Sequence, residues 1–303
     1  MKITYKQDNK ERLDKFLSLE LPHLTRSQLK KMILSELVLV NDEIATVHHW
    51  LKNQDVITLL KNAPEKRIEK KLIAPKILAE TKDYLILEKP AGLLVHPTDR
   101  NESNTLADWL RETFPQVKKV GDEPMRPGIV HRLDKDVSGL MVVALNNDAF
   151  DAIKKQFQDR SVKKEYLALV HGAMRADSGE INTPIERDKE TGLMKANKMA
   201  EESKTAVTLY KVEKKFRNYT LLRLQIKTGR THQIRTHLYS IGHSIVGDSL
   251  YRTKDLRKKK KTIENLRIFL HAAYLEFNDL ENTRQKYDSA LPTILKDFLT
   301  TIK

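Results

Sequence analysis

Over the first sixty residues the apolar positions change from a helical to a strand period. Leu13, Phe16 and Leu17 stand three and four apart with Arg12, Asp14 and Lys15 between them, which predicts a short amphipathic helix. After Pro22, Thr25 and Gln28 have the spacing of a capping box, so a second helix follows with Leu29, Met32 and Ile33 turned inward. Arg26, Lys30 and Lys31 then fall near one another on its solvent side. Residues 37–40, an Asn41-Asp42 turn and residues 44–47 read as a hairpin, and residues 56–60 as a further strand. Residues 61–71 carry a Pro, many charges and almost nothing apolar, which is the composition of a linker.

The remainder is rich in strand patterns. Residues 84–87 are an apolar run that ends in the turn-like Glu88-Lys89-Pro90-Ala91-Gly92. Residues 141–145, Met-Val-Val-Ala-Leu, form an unbroken run with the look of a strand buried on both faces, fed by the polar loop from His131 to Leu140. A helix is predicted over 146–160 with Phe150, Ile153 and Phe157 on one face. Residues 163–170 then make a strand that puts Tyr166, Ala168 and Val170 on one side. Leu222, Leu224 and Ile226 alternate with Arg223, Gln225 and Lys227 in a half-buried strand that runs into Thr228-Gly229-Arg230. Thr231 can cap a following helix whose stripe is Ile234, Leu238 and Ile241, and Gly242 can end it.

Composition narrows the partners. The 303 residues are enough for two domains, and 55 Lys and Arg against 41 Asp and Glu leave a net charge of +14. A polyanion is the first candidate partner, because each cation placed on a phosphate releases condensed counterions; a merely solvated basic surface is the alternative. Cysteine is absent, which removes disulfides, thiolate nucleophiles and Cys-built metal sites. The N-terminus lacks an apolar signal core and no stretch approaches 18 apolar residues, so a cytoplasmic protein without a membrane span is expected.

The candidate chemistry centres on the polar loop. Taken alone, Asp134 is a turn or cap residue, Tyr166 a core aromatic with its hydroxyl at an edge, Leu270 a core Leu and His96 a structural histidine. His232 and His237 are five apart, about 140° around a helix, where a shared metal would need a spacing of four. His131, His232, His237 and the arginines do supply the parts of a metal-free RNA-cleaving acid–base pair. No phosphate-binding glycine loop or nucleophilic-serine elbow is present.

Arg132-Leu133-Asp134 with Ser138-Gly139-Leu140, at this spacing, resembles the ribosomal large-subunit type of RNA pseudouridine synthases; Val137 stands where a Thr is usual. The string Lys164 to Gly172 is similar to the family's second motif, and Thr228 to Leu238, continuing to Gly242-His243 and Gly247-Asp248, to its third, with Thr236, Ser244 and Arg252 as departures. Residues 1–61 resemble the S4 type of RNA-binding module, although the glycine usual before the hairpin is missing around Ser35-Glu36.

The resemblance implies an α+β fold: a mixed, mostly antiparallel sheet with flanking helices over residues 76–303, a charged linker over 62–75, and a small S4-like domain of helices and a hairpin over 1–61. It also implies uridine-to-pseudouridine isomerisation in ribosomal or transfer RNA. Asp134 would be the nucleophile, Arg235 its ion partner, and Tyr166 the ring that stacks on the target base and a proton acceptor. Leu270 would lie under the base, and Arg132 would fill the space that the base vacates. Lys89, Pro90 and Gly92 would pack beneath the loop. Arg230, Arg26, Lys30 and Lys31 would bind the RNA; the basic run Arg252, Lys254, Arg257 and Lys258 to Lys261 is of a kind usually merely solvated, and on the rim of an RNA site it would add phosphate contacts. No cofactor and no metal is expected, and a monomer is. A binding protein that has lost catalysis is the remaining alternative.

Overall fold

The computed structural model describes residues 1–22, 24–35, 37–46, 49–60, 74–97, 102–188, 191–197, 204–253, 255–256 and 266–302. The chain divides into two compact units, Met1–Lys70 and Lys71–Lys303.

In the first unit, β1 (Lys2–Thr4) and β2 (Glu11–Arg12) precede α1 (Leu13–Glu20) and α2 (Arg26–Leu34), followed by β3 (Val38–Val40), β4 (Glu43–Ile44), β5 (Trp50–Leu51) and β6 (Val56–Leu59). The expected capping box is formed: the Thr25 amide donates to Gln28 Oε1 at 2.8 Å, and the Gln28 amide to Thr25 Oγ1 at 3.3 Å. Asn41 and Asp42 both take positive φ, 53° and 64°, the conformation of a tight hairpin turn between β3 and β4. Leu13, Leu17, Leu29, Ile33, Val38 and Ile57 close a small core. Strand β1, which lies against β6, had no readable period in three residues.

The second unit is built on a nine-stranded sheet. Its strands are β7 (Lys76–Glu80), β8 (Tyr84–Lys89), β9 (Ser138–Ala144), β10 (Lys163–His171), β11 (Ser178–Asn182), β14 (Val207–Lys215), β15 (Tyr219–Ile226), β16 (Leu270–Asn278) and β17 (Arg284–Asp288); β12 (Ile185–Arg187) and β13 (Met194–Ala196) form a separate ribbon. The order is β11-β14-β15-β10-β16-β9-β8-β7, with β17 on β16. Among the described residues the β9–β16 pair is parallel and the other neighbours in this sheet are antiparallel. Helices α3 (Leu106–Thr113), α4 (Asn147–Gln158), α5 (Gln233–Ser240) and α6 (Thr293–Thr301) flank it. This is the mixed, mostly antiparallel α+β architecture that the resemblance implied.

Three expectations are corrected. Strand β9 begins at Ser138, within the stretch read as loop, because Ser138 and Gly139 pair with His271 and Ala272 of β16. Thr231 does not cap α5: the N-cap is His232 in the left-handed conformation, with no side-chain cap bond. The Gln233 side chain instead ties the preceding corner to the helix, with Oε1 accepting from the Arg230 amide at 3.0 Å and from Thr228 Oγ1 at 2.7 Å. Ile241 lies past the end of α5 and is exposed, whereas Ile234 and Leu238 are buried as expected.

Most of the linker (residues 62–73) and most of the basic run (Lys254, Arg257, Lys258 to Lys261) lie outside the described residues. Among the described residues, no helix is long and apolar enough to cross a membrane.

Candidate active site

The polar loop delivers Asp134 four residues before the fully buried β9, so a rigid central strand anchors the carboxylate. The loop is pinned from below by Lys89. Its ammonium has no solvent exposure and donates to the carbonyls of Pro90 at 2.8 Å, Leu93 at 2.8 Å and Lys135 at 3.0 Å. Burial pushes the Lys89 amine down to about 7, with Asp136 and Asp134 opposing. On the far side Arg267 donates to Ser138 Oγ at 2.8 Å, and Ser138 Oγ meets His271 Nδ1 at 2.8 Å.

Helix α5 supplies the countercharge. Arg235 Nη1 lies 3.5 Å from Asp134 Oδ2, across 101 residues of chain. Two further hydrogens of that guanidinium are taken by Asp248, Nε to Oδ2 at 2.7 Å and Nη2 to Oδ1 at 2.8 Å. Asp248 Oδ1 also accepts the amides of Leu250 at 2.8 Å and Tyr251 at 3.0 Å. Burial opposes both charges, yet the two-point contact outweighs it: Asp248 is held below the usual carboxylate range and Arg235 above its ordinary value. The Tyr251 ring completes the cradle, 5.1 Å from the centre of the guanidinium. Asp248 was not singled out for a role in the sequence. The signal available was an acid directly after Ile245-Val246-Gly247, because a carboxylate in an apolar run must find a cation.

A cavity of about 70 Å³ opens at this pair, lined by Arg132, Asp134, Tyr166, Arg230, His232, Arg235 and Leu270 among others. Six residues expected at a site, contributed by the loop, β10, the corner before α5, α5 itself and β16, are thus brought together. Tyr166 is buried on β10 and its phenol is pushed up by burial and by the charge of Asp134, so it presents a ring and an O–H to the cavity. Leu270 is 3% exposed at the start of β16. Arg132 is exposed, and its Nη1 lies 3.4 Å from Nε2 of the buried His96.

Residues 83–240 match the family model described as RNA pseudouridylate synthase, and residues 11–57 match the S4 domain. The chain belongs to the RNA pseudouridylate synthase family. It is 39% identical over 261 residues to an uncharacterized RNA pseudouridine synthase of Aquifex aeolicus, covering 85% of this chain and 82% of that protein. It is 38% identical over 299 residues to a ribosomal large subunit pseudouridine synthase D of Nitrosomonas europaea, covering 96% and 84%. Among solved structures it resembles the human RNA pseudouridylate synthase domain containing 4 at 26% identity, with a TM-score of 0.61 over 75% of this chain and 93% of that one.

The histidines of this synthase do not assemble an RNA-cleaving pair. The His131 ring stacks on Phe157 at 4.6 Å and its Nε2 accepts the Val142 amide at 3.0 Å. His237 is buried between Thr208 Oγ1 at 2.9 Å and the Thr183 carbonyl at 2.8 Å. His232 alone of the three lines the cavity. In the S4 unit Lys30 is exposed on α2, while the side chains of Arg26 and Lys31 on that helix lie outside the described residues. Among the described residues no group of three or more His, Asp or Glu side chains is placed to hold a metal ion.

Proposed function

We propose that this pseudouridine synthase acts on large-subunit ribosomal RNA, with Asp134 as the nucleophile on a uridine turned out of its stack. The observation that carries this reading is the Asp134–Arg235 contact of 3.5 Å at the mouth of a cavity that Tyr166 and Leu270 also line. The isomerisation breaks the bond from N1 to ribose C1′, turns the uracil and rejoins it through C5. One proton leaves C5 and one returns to N1, so no oxidant, reductant, cofactor or metal is required.

A carboxylate attacks only when ionised, and the Arg235 guanidinium beside Asp134 supplies the opposite charge. Turning the uridine out costs roughly a few kcal/mol. Stacking on Tyr166 offsets about 1–3 kcal/mol of this, Leu270 supplies an apolar floor, and Arg132 enters the gap left in the RNA. Arg230 takes a phosphate at the rim, and residues 1–61, through Arg26, Lys30 and Lys31, add phosphate contacts across a linker at 62–75. The enzyme works as a monomer in the cytoplasm. The ribosomal target follows from the name of the Nitrosomonas europaea relative, which matches 96% of this chain.

The test is release of tritium from 5-tritiated uridine in transcripts of large-subunit ribosomal RNA and, separately, of transfer RNA. Release from the ribosomal transcript, abolished in Asp134→Asn while RNA binding persists, is the expected result. Full turnover by Asp134→Asn overturns the assignment of the nucleophile. Release from transfer RNA alone overturns the ribosomal target.

A further inference from the structure

His232 lines the cavity in a conformation that calls for explanation. Its φ and ψ are 54° and 23°, the left-handed region, at the N-cap of α5 and with no cap bond made by its side chain. A side chain other than glycine stays there only when its surroundings hold it, and such residues cluster at functional sites. Here the conformation accompanies a ring set between two polar groups. Nδ1 lies 3.0 Å from Tyr251 Oη, and Nε2 lies 3.9 Å from Asp134 Oδ2.

The ring's hydrogen can be placed from its neighbours. Tyr251 Oη accepts the Met194 amide at 3.1 Å, and burial pushes the Tyr251 phenol up, so it keeps its own hydrogen. The Met194 amide and the Thr236 hydroxyl both contact this phenol, and the carboxylate on the other side of the ring decides the tautomer: it can only accept, which favours a hydrogen on Nε2 and leaves Nδ1 to accept from Tyr251. A neutral imidazole whose Nδ1 accepts carries its hydrogen on Nε2, which faces the carboxylate. Both partners of Asp134, Arg235 Nη1 at 3.5 Å and His232 Nε2 at 3.9 Å, approach the same oxygen, Oδ2. Long contacts of this kind tighten when substrate closes the site.

We infer that His232 is a positioning residue, held between Tyr251 and Asp134 in the tautomer whose Nε2–H steadies Oδ2 of Asp134 so that Oδ1 is the oxygen presented to the uridine. This rests on Asp134 being the nucleophile. The guanidinium neutralises the carboxylate, and the imidazole prevents it from rotating about its own axis.

The test is single-turnover tritium release by the full chain on the 5-tritiated ribosomal transcript, with the RNA dissociation constant measured alongside. His232→Ala should lower the rate roughly 10–100-fold, the scale of a misplacement of about 1 Å, while the dissociation constant stays within a few fold. His232→Gln, whose amide nitrogen reaches the place of Nε2, should recover most of the rate. His232→Asn tolerates the left-handed backbone but reaches only as far as Nδ1, and should not recover it. Equal rescue by Asn and Gln, or a wild-type rate in His232→Ala, overturns the inference. Imidazole nitrogen NMR of the unmodified enzyme gives a second readout that needs no variant: a hydrogen on Nδ1 of His232 also overturns it. Asp134→Asn is run in parallel. Turnover there refutes the nucleophile itself, whereas a dead Asp134→Asn beside a fully active His232→Ala refutes only the role of His232.

Discussion

Asp248→Asn separates the two things that the buried pair does, holding the fold and aiming the guanidinium. Asp248 is 5% exposed and accepts four hydrogens, Arg235 Nε on Oδ2 and Arg235 Nη2 with the Leu250 and Tyr251 amides on Oδ1. An amide in its place puts an NH₂ group at one of the two oxygens. At the Oδ1 position it would face three donors, so it must take the Oδ2 position and face Arg235 Nε–H. Either way a buried cation loses an acceptor. Removing one partner of a buried ion pair costs about 3–5 kcal/mol, and that loss is expected for residues 71–303. With two Trp in the chain, a Trp50→Phe background leaves the buried Trp109 to report urea unfolding of this unit.

The catalytic effect is independent of that loss. Asp248 is the group that orients Arg235 through two short bonds, while the contact with Asp134 is longer, so the freed guanidinium shifts. Single-turnover tritium release should fall roughly 10–100-fold, with little change in RNA affinity. The two charges can also be removed together, since the large cost of breaking a buried ion pair comes from leaving one charge uncompensated. Asp248→Asn combined with Arg235→Met removes the under-paired cation while the side-chain oxygen still accepts the Leu250 and Tyr251 amides, and should recover much of the lost stability and none of the activity. A single variant within about 1 kcal/mol of the parent and fully active, or a double variant as unstable as the single, would refute the reasoning.

Two further outcomes test the support beneath the loop. Gly139 has φ 124°, and a Cβ there would lie 2.2 Å from the Ala272 carbonyl oxygen; Gly139→Ala should therefore part β9 from β16 and cost roughly 3 kcal/mol or more, which a urea midpoint measures and a loss under about 1 kcal/mol disproves. His271 is fully buried between Ser138 and Ser289, and burial pushes its imidazole down to about 4. Between pH 6.5 and 4 the unfolded chain takes up a proton at this residue that the folded chain does not, so stability falls as the pH falls, by roughly 3 kcal/mol in all. His271→Asn, which still accepts from Ser138, should lose that much less over the same interval; parallel acid profiles for parent and variant would show that His271 is not the group responsible.

What the sequence reveals depends on how far apart the interacting residues lie. The strand after Asp134, the helix after Asn146 and the alternation of Leu222, Leu224 and Ile226 are written in consecutive positions, and each lies where its period predicts. The start of β9 at Ser138 is not, because its partner in β16 is 133 residues away, and no local period reports a parallel pairing made at that distance. The same reasoning divides the site. Asp134 and Arg235 are legible because each sits in a contiguous string of chemically matched neighbours. Asp248 sits in a string as well, but its role is a through-space contact with a helix that begins fifteen residues earlier, and its sequence signal was only the cost of leaving a carboxylate unpaired in an apolar run. The cap of α5 was misplaced for a related reason. Helix-start rules assign capping to Thr231, yet at this corner the Gln233 side chain satisfies the Arg230 amide. Residue 232 is the N-cap without a side-chain cap bond, and its ring lies between Tyr251 and Asp134. Where a local rule fails, the residue that departs from it is the one to examine for function.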